Sequence, residues 1–475
     1  MRQLIYICSL LFSTFSTYCF AQQPIAKPNI VFILADDLGY ADIGAYGQQH
    51  IETPHLDRLA QAGLKFTQFY AGSTVCAPSR SALLSGQHTG HTYIRGNKEI
   101  EPEGQHPLAD SVQTFAMLLQ QAGYATGAFG KWGLGMVGTS GDPNNKGFDT
   151  FFGYNCQRQS HRYYPTHLWH NDQRVELVGN DLSAQRIYAA DVIQEQTLKF
   201  IDTHQDTSFF LFVPTILPHA ELAGPADSLY HKYADLWEET PHKGQDYGPN
   251  ASIAGYTSVD KPRAMFASMV NRLDEYVGQI VHSLEQKGLL DNTLIIVSSD
   301  NGAHLEGGAD PDFFNSTANL RGRKRDLYEG GIRVPLIVHW PAKITGGQVS
   351  DHVAAAWDIM PTLAELTGAE QPRYTDGLSL LPTWISEGQQ AQHDYLYWEF
   401  HEAGGRQAVR QHEWKLIVLQ AKDAAKRQIE LYNLLQDPSE QNDLTKQYPD
   451  KVRELLQLIK EAHEESPIFP FHQQP

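Results

Sequence analysis

Continuous apolar segments alternate with amphipathic segments over most of this chain. The apolar runs occupy positions 28–34, 124–129, 209–213, 293–298 and 332–339. Uninterrupted runs of this kind are typical of strands that are buried on both faces of a parallel sheet. Helical patterns lie between them, at 54–63, 111–121, 184–203 and 263–286. The alternation predicts an α/β fold of three layers, with a large, mostly parallel central sheet between helices.

Capping signals define the first two predicted helices. Thr53 is the expected N-cap of the first, Pro54 takes its first helical position and Gly63 ends it. Asp110 or Ser111 is the expected cap of the second. Residues 136–180 are rich in glycine, asparagine and aromatic side chains, which favours functional loop over regular structure. Residues 220–260 are irregular, and we expect a lid or a pocket wall there.

The composition of the chain changes near residues 370–390. Beyond that point, short alternating segments at 395–399, 407–410 and 414–419 predict antiparallel strands, and 448–464 predicts a polar helix. We therefore expect a catalytic domain over residues 22–385 and a small C-terminal α+β subdomain with an antiparallel sheet over 386–475.

The first 21 residues have the pattern of a signal peptide. Arg2 supplies the charge, residues 4–15 form an apolar stretch, and residues 19–21 offer a cleavage site with small side chains. Residues 16–18 fit a lipoprotein anchored at Cys19 poorly. No other apolar run is long enough to span a bilayer. We therefore expect an exported protein, periplasmic or secreted, with no membrane span.

The formal net charge is −18 over 475 residues. A chain this acidic is a poor partner for nucleic acid or for an anionic membrane surface. Anionic substrates would also be repelled, unless a local pocket were lined with cations and a bound metal.

Four cysteines are present, and removal of the signal peptide would take Cys8 and Cys19. Cys76 and Cys156 remain, and they could pair in an oxidising compartment. If Cys76 is chemically modified instead, Cys156 has no disulfide partner.

Five segments place polar residues at predicted strand ends or helix starts. Their members are Asp36 with Asp37, Cys76 with Arg80, Lys131, His219, and Asp300 with Asn301. The carboxyl ends of parallel strands share one edge of a sheet, so we expect these side chains to form a single site. The oxygen ligands of Asp36, Asp37, Asp300 and Asn301 suit one hard cation, calcium or magnesium, rather than zinc.

Cys76 precedes a short helical segment, and Arg80 lies one helical turn further on the same face. An isolated cysteine in such a place is often buried and inert. Here Cys-Ala-Pro-Ser-Arg at 76–80 is followed by Ser-Ala-Leu-Leu-Ser-Gly at 81–86. This pattern resembles the signature of the type I sulfatases, in the alkaline-phosphatase-like superfamily. The resemblance implies that a maturation enzyme oxidises Cys76 to formylglycine, an aldehyde.

The resemblance also implies roles for other residues. In Gly-Lys-Trp, Lys131 matches a lysine that contacts the sulfate, and Lys324, four residues before Tyr-Glu-Gly-Gly, matches another. His219 matches a histidine near the scissile oxygen. The implied ligands of one metal ion, usually calcium in the family, are Asp36, Asp37, Asp300, Asn301 and the modified Cys76.

Gly133 stands where the commoner family pattern, Gly-Lys-Trp-His, has a histidine. That histidine would assist the second half-reaction, and His161 or His91 are candidate replacements. The segments 130–135 and 151–165 resemble bacterial exo-acting sulfatases of galactose-type sugars, which implies sugar contacts from Gln157 and His161. Residues 154–170 and 399–406 are expected to line the sugar pocket.

These features together predict hydrolysis of sulfate monoesters on carbohydrate, at galactose or N-acetylgalactosamine units, with position 4 favoured over position 6. The hydrated aldehyde at position 76 would attack sulfur and then expel sulfate, with a sulfated mono- or oligosaccharide as substrate. One alternative is a phosphoester or phosphonate hydrolase, a class that usually has Thr or Ser as nucleophile and two metals. Another is a non-catalytic glycan-binding homologue with an unmodified thiol at Cys76.

Overall fold

The computed structural model of the protein describes residues 27–101 and 103–471. The predicted signal peptide, residues 1–21, lies outside the described residues. None of the described helices combines the length and the apolar character that a membrane-spanning segment requires.

Fifteen strands are formed by the described residues. They are β1 (Asn29–Ala35), β2 (Leu64–Tyr70), β3 (Ala125–Lys131), β4 (Thr150–Tyr154), β5 (His167–His170), β6 (Gln173–Glu176), β7 (Phe209–Pro214), β8 (Thr293–Ser299), β9 (Arg333–His339), β10 (Gln348–Ser350), β11 (Ala354–Ala355), β12 (Leu396–Phe400), β13 (Arg406–Gln411), β14 (Trp414–Leu419) and β15 (Gln428–Asn433).

Ten α-helices accompany these strands in the same described ranges. They are α1 (Pro54–Ala62), α2 (Cys76–Ser85), α3 (Phe115–Gln121), α4 (Ala189–Thr203), α5 (Ser228–Tyr233), α6 (Pro262–Gln286), α7 (Glu329–Ile332), α8 (Ile359–Thr367), α9 (Leu381–Ile385) and α10 (Pro449–Ala462).

The central sheet has the order β10-β2-β9-β8-β1-β7-β3-β4-β5-β6, and β11 also pairs with β2. Its middle strands, β8, β1, β7, β3 and β4, are parallel to one another. Antiparallel pairs occur toward the edges, at β8–β9, β9–β2, β4–β5 and β5–β6. The predicted large and mostly parallel sheet is therefore confirmed.

Helices cover both faces of this sheet, as its uninterrupted apolar strands require. Val31 and Ile33 of β1 pack in a core that also contains residues of α1, α4 and α6. Ile30, Phe32 and Leu34 face the opposite core, which contains residues of α2, α3 and α8. Alternate residues of one strand thus enter two separate cores, and the predicted three-layer architecture is confirmed.

The C-terminal subdomain contains the antiparallel sheet β12-β13-β14-β15 with α10 packed on one face. Trp398 lies on the other face, against the main domain, and its indole N–H donates to the carbonyl oxygen of Ala71 at 2.9 Å. This contact anchors the subdomain beside the loop that leads to Cys76. The predicted C-terminal α+β unit is confirmed, while its boundary at residue 386 stays a prediction.

Helix α1 has Thr53 as its N-cap and Gly63 as its C-cap, as predicted. The Thr53 side chain makes no capping hydrogen bond, however, and the Asp274 carboxylate of α6 accepts the N–H groups of His55 and Leu56 instead, at 3.1 and 2.7 Å. Two local predictions were wrong. The predicted helix over 111–121 begins at Phe115, where the Thr114 hydroxyl accepts the Met117 N–H. Within 136–180, β4, β5 and β6 extend the sheet where loop was expected. Caps and edge strands depend on distant partners, which local composition does not reveal.

Candidate active site

Four neighbouring strands end at the same edge of the sheet, and each carries a polar residue there. Asp36 and Asp37 follow β1, Lys131 ends β3, and Asp300 and Asn301 follow β8. His219 follows β7 by a short turn, in which its N–H donates to the carbonyl oxygen of Ile216 at 3.0 Å. The edge of the sheet thus collects polar groups from distant segments, such as Asp37 and Asn301, which lie 264 residues apart.

Helix α2 carries Cys76 at its first position and Arg80 one turn later, and all of its residues are buried. Ala77, Leu83 and Leu84 pack in the apolar core, whereas Ser79 and Arg80 are buried through hydrogen bonds to Asp300. Val75, the N-cap, makes no side-chain capping bond, and the amide of Ala77 donates to Asn97 at 3.2 Å. Gly86 ends the helix at φ +66°, a left-handed conformation that favours glycine.

Asp36 is the centre of the first cluster. Its Oδ2 accepts a hydrogen bond from Nζ of Lys131 at 2.6 Å and lies 3.6 Å from Nη2 of Arg80. Its Oδ1 lies 3.5 Å from Sγ of Cys76. The thiol at position 76 is therefore in contact with a carboxylate that two cations neutralise.

Asp37 is the centre of the second cluster. Its Oδ2 accepts from Nζ of Lys324 at 2.7 Å and lies 3.4 Å from Nε2 of His219. Its Oδ1 accepts from Nδ2 of Asn301 at 2.7 Å, and its own amide donates to Oδ1 of Asp300 at 3.1 Å. A positive φ of 62° at Asp37 turns the two successive carboxylates to different partners.

Arg80 ties the clusters together. Its Nε and Nη2 lie 3.0 and 2.9 Å from Oδ2 of Asp300, and its Nη1 donates to the carbonyl oxygen of Lys131 at 2.6 Å. These contacts fix the planar guanidinium between α2 and two strand ends.

His219 has one defined tautomer in this arrangement. Its Nδ1–H donates to the carbonyl oxygen of Ala220, which leaves Nε2 as the acceptor for Nζ of Lys324 at 3.0 Å. Burial, the Lys324 ammonium and other nearby cations hold the pKa of His219 well below its ordinary value. The imidazole is therefore neutral, and the shared proton lies on the lysine.

The carboxylates at the site differ in their affinity for protons. Burial opposes ionisation of Asp36, but Lys131 and the other nearby cations outweigh it and hold its pKa well below the ordinary value. Burial and the Asp36 carboxylate raise the pKa of Asp300 above its ordinary value. Burial likewise raises the pKa of the Cys76 thiol. A repulsive cluster of buried acids is stabilised when a cation lies among them.

The residues at this edge fit a divalent metal ion. Asn301 is fully buried, and its Oδ1 accepts no hydrogen bond from any described residue. An orphaned buried carbonyl beside the carboxylates of Asp36, Asp37 and Asp300 is a donor set for a hard cation. Ligand atoms of Asp36, Asp37, Cys76 and His219 also lie within 4.8 Å of one another.

A cavity of about 130 Å³ opens above Cys76. Its walls are formed mainly by polar and ionisable side chains, those of Cys76, Asn97, Glu99, Gln157, His161, His219, Tyr256, Lys324 and Arg325. The predicted sugar contacts Gln157 and His161 are thus brought together with Cys76. Burial and nearby lysines lower the pKa of His161 to about 3, and its ring stacks on that of His219 with centroids 5.2 Å apart.

Gln157 occupies the space beside Gly133, where the commoner family pattern has a histidine. A Cβ at position 133 would lie 2.2 Å from Nε2 of Gln157, and Gly133 has φ +74°. Gln157 is buried, and its Nε2 donates to no described residue. The glycine and the glutamine therefore form a complementary pair that leaves an amide N–H₂ at the wall of the cavity.

Two expected contributors lie elsewhere. His91 pairs with Asp376 at 2.9 Å and is absent from the described cavity wall, so it is not placed to replace the missing histidine. Glu399 is fully buried and binds Arg95, His401 and His463. The expectation that residues 399–406 line the sugar pocket is therefore wrong for Glu399, because its carboxylate serves the junction between the two domains.

Sequence reasoning missed Asn97, Glu99 and Arg325. Tyr256 belongs to the segment 220–260, which was expected to supply a lid or pocket wall, and it does line the cavity. The polar stretch that follows α2 was the one feature of the sequence that could have indicated Asn97 and Glu99 as residues of the cavity wall. Arg325 lies in a basic run of a kind that is usually solvated surface.

Comparison with known proteins agrees with this geometry. The sulfatase family model matches residues 28–369, and a model described as N-sulphoglucosamine sulphohydrolase, C-terminal, matches residues 322–465. Arylsulfatase D of Homo sapiens is 30% identical over 438 residues, which cover 82% of this chain and 73% of that protein. Steryl-sulfatase of Rattus norvegicus is 28% identical over 442 residues, covering 82% of this chain and 76% of that protein.

Among solved structures, Ps i-CgsB in complex with k-i-k-neocarrahexaose superposes with a TM-score of 0.75. It is 27% identical to this chain, and the match covers 92% of both chains. With the family model spanning most of its length, this chain belongs to the sulfatase family and is a sulfuric ester hydrolase.

Proposed function

We propose that the protein removes sulfate from terminal galactose or N-acetylgalactosamine units of glycans, with the 4-sulfate preferred to the 6-sulfate. The observation that carries this proposal is the small cavity above Cys76, whose polar walls offer amide, carboxylate and imidazole groups to sugar hydroxyls. We infer exo action from the small size of this cavity, about 130 Å³, which favours one sugar unit at a chain end over the interior of a polymer. The bound k-i-k-neocarrahexaose of Ps i-CgsB supports a saccharide substrate.

The nucleophile would arise from Cys76. Oxidised to formylglycine by a maturation enzyme, position 76 supplies in its hydrated form one hydroxyl to attack sulfur and a second to release sulfate. Asp36, 3.5 Å from Sγ, is placed to accept a hydrogen bond from a group at this position. Burial of the whole of α2 keeps this group at a fixed angle to the cavity.

Charge on the sulfuryl oxygens would be offset by side chains that are already held in place. Lys131 and Lys324 are buried and each is hydrogen-bonded to a carboxylate, so neither has to reorganise when substrate binds. A divalent cation held by Asp36, Asp37, Asp300 and Asn301 would act as a Lewis acid, and calcium and magnesium both suit these ligands.

The leaving sugar oxygen requires a proton. Nζ of Lys324 donates to Nε2 of His219 at 3.0 Å at the wall of the cavity, so the proton lies on the lysine and His219 is placed to relay it to the leaving oxygen. Release of sulfate from the enzyme requires a base, and His161, which lines the cavity with Cys76 and stacks on His219, is the candidate where the family histidine is missing. Its lowered pKa of about 3 keeps the imidazole neutral but makes it a weak base.

A phosphoester or phosphonate hydrolase with two metal ions is less compatible with this geometry. Asp37, His304 and Glu306 could hold a second ion. However, Nζ of Lys324 lies 2.7 Å from Asp37 and 3.7 Å from Glu306, so a second ion would displace the ammonium group that the proposed mechanism places beside the sulfuryl oxygens.

A panel of singly sulfated galactosides tests the substrate proposal. We expect faster release of sulfate from the 4-sulfate than from the 6-sulfate, and no release from internal units of a polymer. Faster cleavage of internal units would exclude the exo-acting proposal. Mass spectrometry of the peptide containing Cys76 tests maturation, since conversion of the thiol to the aldehyde lowers the mass by about 18 units. An unmodified thiol would favour the glycan-binding alternative.

Maturation and location belong to the same proposal. The predicted signal peptide, residues 1–21, would direct export to the periplasm or the medium. There the enzyme would meet sulfated oligosaccharides.

A further inference from the structure

Arg325 lies at the mouth of the cavity, and the proposed mechanism does not use it. Its side chain lines the cavity above Cys76 and also an open groove of about 400 Å³, which residues 323–326 form with Leu305 and Glu306. The side chain is 49% exposed. A group in this position is reached by the part of a substrate that projects out of the cavity.

The backbone at Arg325 is held in a conformation that arginine disfavours. The amide of Asp326 donates to the carbonyl oxygen of Arg323 at 2.8 Å, which closes a turn over residues 323–326. Arg325, at the third position of that turn, has φ +78°, where glycine is the favoured residue. Such strain persists only where neighbouring structure enforces it, and it concentrates at ligand-binding positions.

Contacts on both sides of the residue enforce this conformation. The amide of Arg325 donates to the carbonyl oxygen of Thr74, two residues before Cys76, at 3.1 Å. Its own carbonyl oxygen accepts from Nη1 of Arg406. The arginine is thus fixed to the nucleophile loop and to the C-terminal subdomain.

The guanidinium retains capacity to bind an anion. Nη1 donates to Glu306, and Nε and Nη2 donate to no described residue. The negative charge of Glu306 is already shared with Lys324 and His304, at 3.7 and 3.4 Å. A half-exposed guanidinium with two free edges suits bidentate binding of a sulfate or carboxylate group.

We propose that Arg325 forms a subsite for a second anionic group of the substrate, a sulfate or carboxylate outside the unit that is being desulfated. The inference rests on the proposed function, since it requires a sulfated saccharide in the cavity. It narrows the substrate class to saccharides that carry at least two anionic groups. The overall charge of −18 makes such a local cation necessary for a polyanionic ligand.

The test compares three esters: 4-nitrophenyl sulfate, a monosulfated galactoside, and the same saccharide with a second sulfate on the neighbouring unit. Wild-type protein should prefer the disulfated saccharide, and this preference should decrease as salt is added. Arg325→Gln should lower kcat/KM for the disulfated ester by about 10- to 100-fold, the range for a hydrogen bond to a charged group. For the other two esters the change should be less than about threefold on the same basis.

Two further variants make the result decisive. Arg325→Gly suits φ +78°, so it should fold as well as the wild type and still lose the preference. Arg373→Gln is the control: it removes the same charge from an exposed residue of the main domain, and this variant should retain the preference for the disulfated ester. An unchanged preference in Arg325→Gln, or equal losses on all three esters, would overturn the proposal.

A binding measurement separates this inference from the proposed function. In a Cys76→Ala background, calorimetry of the monosulfated and disulfated saccharides, with and without Arg325→Gln, needs no turnover. Tighter binding of the disulfated compound that disappears with Arg325→Gln supports the subsite, even if the wild type hydrolyses none of the esters. Equal binding of the two saccharides contradicts it.

Discussion

His219 and Lys324 form the pair of side chains from which the leaving oxygen would take its proton. The importance of that proton depends on the leaving group, since a sugar hydroxyl is a far weaker acid than 4-nitrophenol. His219→Gln should therefore lower kcat/KM for a galactose sulfate by about 10²- to 10⁴-fold, the usual contribution of a general acid, and should affect 4-nitrophenyl sulfate much less. Steady-state kinetics on both esters measures this, and equal losses would argue that His219 only binds sulfate.

Gly133 illustrates how one residue can be explained only together with its neighbour. The sequence showed the missing histidine, while the side chain that takes its place, Gln157, became apparent from the fold. Gly133 has a positive φ, and the space beside it has no room for a Cβ. Backbone strain and steric overlap therefore both oppose substitution at this position.

Gly133→Ala should therefore destabilise the protein by about 1–3 kcal/mol, from backbone strain and overpacking. Chemical denaturation of this variant, of Gln157→Ala and of the double variant measures the coupling. The double variant should regain the stability that Gly133→Ala loses to steric overlap, but not the stability that it loses to backbone strain. Strictly additive effects would show that the two side chains do not compete for the space.

At the scale of elements, α10 is joined to the main domain by a buried charge cluster. The Glu399 carboxylate of β12 accepts from His463, just after α10, at 2.6 Å, and from Arg95 at 3.2 Å. Burial opposes ionisation of Glu399, but hydrogen bonds from His401 and His463 hold its pKa well below the ordinary value of 4.5. Burial also opposes protonation of His463, but Glu399 and Glu465 raise its pKa above the ordinary 6.5.

The signs of these shifts define a pH window. The lowered pKa of Glu399 stabilises the fold above about pH 4.5, and that contribution decreases as pH falls further. The raised pKa of His463 stabilises it below about pH 6.5, and that contribution is lost as pH rises through the folded-state pKa. The Tm difference between wild type and His463→Gln should thus be largest near pH 5–6 and shrink by pH 9. His282→Gln, on the exposed face of α6, is the control, and a pH-independent difference would contradict the assignment.

The hydrophobic pattern of the sequence predicted most of the fold but much less of its local detail. Continuous apolar runs identified β1, β3, β7, β8 and β9, because a strand buried on both faces has no polar alternation. Strands β4, β5 and β6 were missed, since β5 and β6 are short and join the sheet only by successive pairing, β5 with β4 and β6 with β5. The N-cap of α1, Thr53, was predicted, but the carboxylate that accepts N–H groups of its first turn was not, because Asp274 lies more than 200 residues away.

At the scale of the whole molecule, the parallel sheet brings residues that are far apart in the sequence together in one site. Asp36, Lys131, His219 and Asp300 could be grouped from the sequence, because each follows a buried strand and parallel strands end at one edge. The position of Lys324 between Asp37 and His219 depends on the path of a loop, and it was inferred by resemblance alone.

The same arrangement predicts that a divalent cation stabilises the folded protein. Asp36, Asp37 and Asp300 repel one another when buried together, and a cation bound among them relieves that repulsion. Calcium at about 100 times its Kd should raise the stability by about 2.7 kcal/mol, and a chelator should remove both this gain and the activity. Thermal unfolding with and without chelator measures the effect. A Tm that is independent of the metal would contradict the proposed ligand set.

Release of sulfate and phosphate from 4-nitrophenyl sulfate and 4-nitrophenyl phosphate, by matured wild type and by Cys76→Ala, tests the account most directly. We predict that wild type hydrolyses the sulfate ester in strong preference to the phosphate ester. Cys76→Ala should fold, with an unchanged circular dichroism spectrum, and release neither product above background. Equal hydrolysis of the two esters, or full sulfatase activity in Cys76→Ala, would contradict the central claim that position 76 supplies the nucleophile of a sulfatase.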